Sequence, residues 1–118
     1  MWRNLCTSDT RFLINQVLKS SMLQQNIKSI CRSDRQLSSA FYCSLLDISH
    51  RHIVYKDLSL APKHLIPLYL KASVAMPAYN RAVKLDNTRY FDGAIMDNIP
   101  VYPLLKQNLE YIICIYFD

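Results

Sequence analysis

Asp92 stands immediately before Gly93, the single glycine in 118 residues. A carboxylate at the end of a short apolar stretch can take a proton from a hydroxyl if it lies within hydrogen-bond reach and is partly desolvated. An aspartate before a glycine serves equally as a turn or helix-cap residue, and the residues alone leave both roles open. Asp97 raises the prospect of a carboxylate pair, but the intervening turn leaves the geometry undefined. Together with Asn98, Asp97 also reads as the cap of a helix beginning near Ile99. Ser73, in Ala72-Ser73-Val74-Ala75, reads as a helix-terminal hydroxyl and not a nucleophile. His50, His52 and His64 suggest a metal or a triad, but His50-x-His52 offers two nitrogens without a clear third ligand. Neither a metal nor any other cofactor is expected.

The glycine count excludes whole classes of chemistry. A domain of this length ordinarily carries roughly eight glycines. One glycine leaves no room for G-x-G-x-x-G, a P-loop or a G-x-S-x-G nucleophile elbow within these residues. Nucleotide binding by a glycine loop is therefore excluded, as is a complete serine hydrolase of the usual kind. Cys6, Cys31, Cys43 and Cys114 form no C-x-x-C pair and match no zinc spacing. No apolar h-region follows Met1, so a cytoplasmic protein with reduced thiols is expected.

The formal charge of +5 is unevenly spread. Residues 1–38 hold six basic side chains (Arg3, Arg11, Lys19, Lys28, Arg32 and Arg35) against Asp9 and Asp34, a net +4. Such a segment suits a solvated helix face and leaves peripheral contact with an anionic membrane open. It is not dense enough to predict a nucleic-acid partner.

Hydrophobic residues make up 51% of the chain, enough for a packed core. Residues 10–31 show helical periodicity (Leu13, Val17, Leu18, Met22, Leu23, Ile27, Ile30), with Ser8 or Asp9 as a cap and a break at Ser20-Ser21. Residues 32–39 read as a loop. Residues 40–47 and 53–58 read as an antiparallel pair of strands joined at Ser49-His50-Arg51-His52. Residues 62–73 read as helix in one or two pieces, with Pro67 near a start. Residues 82–85 and 89–91 read as short strands about the turn Asp86-Asn87, residues 99–106 as a short helix, and residues 110–117 as a strand buried on both faces. The chain closes directly after that apolar run, from which continuation in a longer parent is expected.

Four pieces then occur in order over roughly 50 residues: Ala72-Ser73-Val74-Ala75-Met76-Pro77, Arg89-Tyr90-Phe91-Asp92-Gly93-Ala94, Asn98-Ile99-Pro100-Val101, and the apolar run from Tyr111. This ordered set resembles the C-terminal part of the patatin-like phospholipase domain. Residues 40–118 carry the likeness, residues 1–39 match loosely as a helical segment, and the wording is most similar to bacterial members. The resemblance implies an α/β fold, a partial three-layer α/β/α domain with a mostly parallel sheet. It implies hydrolysis of lipid acyl esters by a Ser–Asp dyad, with Asp92 as the catalytic aspartate and Gly93 giving the sharp turn that aims it. Ala94, Asn98 and Pro100 support the motif.

The serine elbow and the glycine-rich oxyanion loop of that family have no counterpart here. The chain is expected to supply the base alone and to hydrolyse esters negligibly in isolation, since oxyanion donors contribute much of the acceleration. The expected partners are a lipid or acyl-ester substrate and the missing N-terminal half of the domain. A non-catalytic remnant that binds lipid or protein is the alternative. Tyr69, Tyr79, Tyr90, Tyr102, Tyr111 and Tyr116 are candidates for an acyl pocket, or ordinary core and strand-pairing groups. An open sheet edge is expected to favour association.

Overall fold

The computed structural model of the chain describes residues 21–32, 37–78 and 80–116. The chain divides into two compact units, Met1–Asp34 and Arg35–Asp118. In the first, helix α1 (Ser21–Arg32) carries Lys28 on its exposed surface and Arg32 in its last turn. The rest of the helix expected over residues 10–31, its cap at Ser8 or Asp9 and Ser20 of the proposed break lie outside the described residues.

The second unit is built on hairpins. In β1 (Tyr42–Asp47) buried and half-buried residues alternate, so Cys43, Leu45 and Asp47 face inward. A turn at residues 48–51 leads into β2 (His52–Asp57), which pairs antiparallel with β1 from Tyr42↔Asp57 to Asp47↔His52. Arg51 closes that turn with φ 55°. A 3-10 turn (Lys63–Leu65) then runs into α2 (Ile66–Ala72). Pro67 occupies the first turn of α2, where its missing N–H satisfies nothing in any case.

Strands β3 (Val83–Leu85) and β4 (Thr88–Asp92) form the second hairpin. Its two-residue turn places Asp86 at φ 45° and Asn87 at φ 64°. Positive φ at both central positions matches the right-handed twist of a tight hairpin, and short polar residues tolerate it best after glycine.

The two hairpins join through β1 and β4, again antiparallel, in the register Leu45↔Asp92, Leu46↔Phe91 and Asp47↔Tyr90. The sheet order is β2-β1-β4-β3. This corrects the expectation of a mostly parallel sheet in a three-layer domain, because every pairing in this sheet is antiparallel. Within each hairpin the reason is the length of the connection. Tight turns can only return a strand antiparallel to its neighbour, whereas a parallel pair needs a crossover of a dozen or more residues. The one long connection, which contains α2, joins β2 to β3 at opposite edges of the sheet.

Helix α2 packs on β1, β3 and β4. Tyr69 and Ala72 of the helix meet Cys43, Leu45, Leu58 and Leu85 in the core, with Val54, Ile66, Leu70, Val83 and Tyr90 around them. Among the described residues Leu45 and Leu58 are the fully buried large side chains, so the core centres on the strand that pairs with Asp92.

The C-terminal part departs further from expectation. The helix expected over residues 99–106 is reduced to the four residues of α3 (Tyr102–Leu105). Residues 110–116 form no strand, and Tyr111, Ile113 and Ile115 are 85%, 88% and 85% exposed. Their β-branched and aromatic composition suits a strand, but strand geometry is stabilised by a neighbour, and none of the described strands pairs with them.

Candidate functional site

Asp92 is the last residue of β4. Three contacts fix its position: strand pairing opposite Leu45, a 2.9 Å hydrogen bond from its own amide to the Ala75 carbonyl, and acceptance by its Oδ1 of the Ala94 amide at 2.9 Å. The segment carrying Ala72-Ser73-Val74-Ala75 is thereby tied to the aspartate strand by a backbone bond. Burial raises the pKa of the half-buried carboxyl above its ordinary value, and the bond from the Ala94 amide offsets only part of that effect.

Gly93 follows in a 3-10 turn (Gly93–Ile95) and is buried. A Cβ at this position would lie 2.5 Å from the Ser44 carbonyl carbon, 2.6 Å from Ser44 Cβ and 2.7 Å from the Leu45 amide nitrogen. Its φ is not positive. The glycine sits at a turn, as expected, but what requires glycine there is the close approach to β1. Its carbonyl accepts the amides of Met96 and Asp97, each at 3.0 Å, which folds the following residues back over the turn.

Asp97 does not cap a helix. Helix α3 begins after Val101 without any side-chain cap, and the Asp97 carboxylate instead accepts a hydrogen bond from the Tyr55 hydroxyl on β2. The bond to Asp97, reinforced by burial and by the negative charge of Asp97, pushes the Tyr55 hydroxyl up to about 12. The Tyr55 ring lies 5.8 Å from that of Tyr102, over which Lys106 Nζ sits at 4.6 Å. Ala94, Asn98 and Pro100 are exposed around this turn, and Asn98 caps nothing. Five apolar side chains in the same stretch are also exposed: Ile95 by 45%, Met96 by 60%, Ile99 by 41%, Tyr102 by 52% and Leu105 by 65%.

Ser73 is the C-cap of α2, where its hydroxyl donates to the Leu70 carbonyl at 3.0 Å. Cys43 is buried, and burial pushes its thiol up to about 11, which keeps it un-ionised and poorly nucleophilic. Of the tyrosines expected near a pocket, Tyr69 belongs to the core and Tyr90 packs beside it, while Tyr102, Tyr111 and Tyr116 are exposed. Tyr79 lies outside the described residues. His64 stands in the exposed 3-10 turn before α2.

The sequence reading missed two residues, Tyr55 and Asp47. Nothing local marks Tyr55, whose partner is 42 residues away. Asp47 is buried at the end of β1, where it accepts the Ser49 amide at 2.8 Å, the His50 amide at 3.1 Å and His50 Nδ1 at 2.8 Å. Burial alone would raise its pKa, but these bonds and the His50 side chain outweigh it and hold the carboxyl below its ordinary value. An acidic residue two and three positions before polar turn residues was the available signal.

The family model for patatin-like phospholipases matches residues 18–105, about three quarters of the chain and all of the segment around Asp92. The chain belongs to the patatin-like phospholipase family. Membership relates it to lipid acyl hydrolases and makes lipids the relevant substrate class. No curated protein and no solved structure matches the chain. Within the patatin-like match fall both hairpins, α2, the Asp92-Gly93-Ala94 turn and α3.

Proposed function

We propose that this chain supplies the aspartate of a Ser–Asp dyad that hydrolyses lipid acyl esters, with Asp92 as general base and the serine furnished from outside these 118 residues. The family match across the Asp92-Gly93-Ala94 turn carries the reading. The local geometry supports it: the carboxyl is held by the backbone, only partly solvated and of raised proton affinity, as a base facing a weakly acidic hydroxyl requires. In the complete site Asp92 takes the serine proton as the hydroxyl oxygen attacks the ester carbonyl. It returns that proton to the departing alcohol as the acyl-serine forms, and water then repeats the cycle to release the fatty acid.

The absence of a glycine-rich elbow means that the chain contains neither nucleophile nor oxyanion donors. The purified 118-residue protein is therefore expected to show no serine-dependent esterase turnover and no labelling by a fluorophosphonate probe. Turnover well above blank, abolished by that probe, would overturn the assignment of the nucleophile to another chain segment.

A second reading is favoured by the exposed apolar side chains from Ile95 to Leu105. In it the chain binds lipid without catalysis, through that stretch and the basic N-terminal region, as a cytoplasmic protein peripheral to the membrane. Flotation with anionic vesicles distinguishes it, since binding by this route is lost when Met96 and Leu105 are replaced by serine while Asp92→Asn leaves it unchanged.

A further inference from the structure

The tip of the first hairpin brings together three side chains that are separate from the Asp92 region. Asp47 ends β1, His52 begins β2 directly opposite it in the register, and His50 lies in the turn between them. One ligand atom from each falls within 4.8 Å of the others. The His50 and His52 rings stand edge to face with centroids 5.9 Å apart, and both are exposed.

We propose that Asp47, His50 and His52 form a binding site for a zinc-class divalent transition-metal ion at this hairpin tip. The third ligand that the spacing of the histidines does not reveal is Asp47.

The arrangement is prepared for a cation in two respects. Asp47 Oδ1 accepts the Ser49 and His50 amides, which fixes the orientation of the carboxylate and leaves Oδ2 directed at His50 Nδ1 at 2.8 Å. Backbone donors that hold one carboxylate oxygen while the other faces a ligand are the outer-shell support typical of metal sites. Two of the three ligands also sit on paired strand positions, and the Ile48 amide bonds the Arg89 carbonyl at 3.0 Å, so the base of the tip is tied to β4.

Metal–ligand distances near 2.0–2.2 Å put neighbouring ligands of a tetrahedral ion roughly 3.3 Å apart. The Asp47–His50 pair opens by a few tenths of an ångström to admit the ion, and rotation of the exposed His52 closes the remaining gap. The hydrogen shared by His50 Nδ1 and Asp47 moves to Nε2 of the neutral ring, or leaves an imidazolium for solvent, as the metal takes its place. Two nitrogens and one carboxylate oxygen suit zinc, nickel or copper and are too few oxygens for calcium or magnesium. Three protein ligands leave a fourth position open to water.

The test is titration of the full chain with Zn²⁺ against a chromophoric chelator, with circular dichroism of each variant to show that it is folded. The wild-type chain is expected to take up one Zn²⁺ that a large excess of Mg²⁺ or Ca²⁺ does not displace. His50→Gln and His52→Gln are each expected to weaken that uptake by about tenfold or more, and Asp47→Asn, which keeps the Oδ1 acceptor, to weaken it similarly. His64→Gln and Cys114→Ser, which lie outside the cluster, are expected to bind as wild type. Absence of uptake, or uptake that survives both hairpin histidine substitutions, or uptake lost with Cys114→Ser, would each overturn the proposal.

Discussion

Gly93 packs against Ser44 so closely that a single added carbon would meet the Ser44 carbonyl carbon at 2.5 Å. The contact joins the aspartate turn to β1, the strand that also carries the fully buried Leu45 opposite Asp92. The position of the Asp92 carboxylate therefore depends on a close backbone approach between the two central strands of the sheet.

The first prediction follows from that approach. The atoms a new Cβ would strike include backbone, which cannot swing aside, so Gly93→Ala must separate the turn from β1. Overpacking of this kind costs about 1–3 kcal/mol, and the rigid neighbours place Gly93→Ala toward the upper end. Urea unfolding followed by circular dichroism should show a lowered midpoint with little change in slope. A midpoint equal to wild type would mean that the turn does not need the close contact.

The second prediction concerns Asp92 and pH. Burial raises its folded pKa above the unfolded value, so the protonated carboxyl contributes stability that is fully present below the unfolded pKa. That contribution is lost as pH rises through the folded pKa, leaving a partly desolvated charge at neutral pH. Asp92→Asn, which retains an oxygen to accept the Ala94 amide, should be more stable than wild type at pH 7. The difference should shrink as pH falls below about 4, near the ordinary aspartate pKa. Paired melting curves at the two pH values check this, and a destabilised Asp92→Asn at neutral pH would contradict it.

The third prediction uses the hydrogen bond from Tyr55 to Asp97. Because the Tyr55 hydroxyl is pushed up to about 12, a late tyrosine ionisation near that pH should appear when ultraviolet absorbance is followed into alkali. Tyr55→Phe should remove that late step, and Asp97→Asn should move it down toward the ordinary tyrosine range. The neutral hydroxyl contributes stability that is fully present below the unfolded tyrosine pKa and is lost as pH rises through about 12. At neutral pH Tyr55→Phe should cost about 0.5–1 kcal/mol, the small net value of a solvent-screened hydrogen bond.

What could be read from the sequence was local. The aromatic and apolar run through residues 40–47 with the turn at Ser49-His50-Arg51-His52, and the Asp86-Asn87 turn, announce two hairpins, and both form because their pairing partners are a few residues away. The pairing of Leu45 with Asp92 joins residues far apart in sequence, and no periodicity encodes it. That junction makes the sheet wholly antiparallel where a parallel one was expected. The residues from Tyr111 to Tyr116 show the converse: strand-like composition persists, but without a neighbouring strand it yields exposed chain. At the candidate site, Asp92 and Gly93 stood out in the sequence because their types and order recur in a family motif. The reason Gly93 must be glycine could not be read there, since it lies in the backbone of Ser44. Tyr55 and Asp97 remained unconnected for the same reason, as their meeting depends on how β2 and the Gly93–Ile95 turn are brought together.

The most direct test of the dyad assignment is ester hydrolysis by this chain combined with a patatin-like polypeptide that bears the glycine-rich loop and the G-x-S-x-G serine. The mixture should hydrolyse a short-chain lipid ester that neither part cleaves alone. Replacing Asp92 by asparagine should lower that rate by about 10²–10⁴-fold, the usual contribution of a positioned general base. Restored activity that is unchanged in Asp92→Asn would contradict the account, because the carboxylate would then take no part in activating the serine.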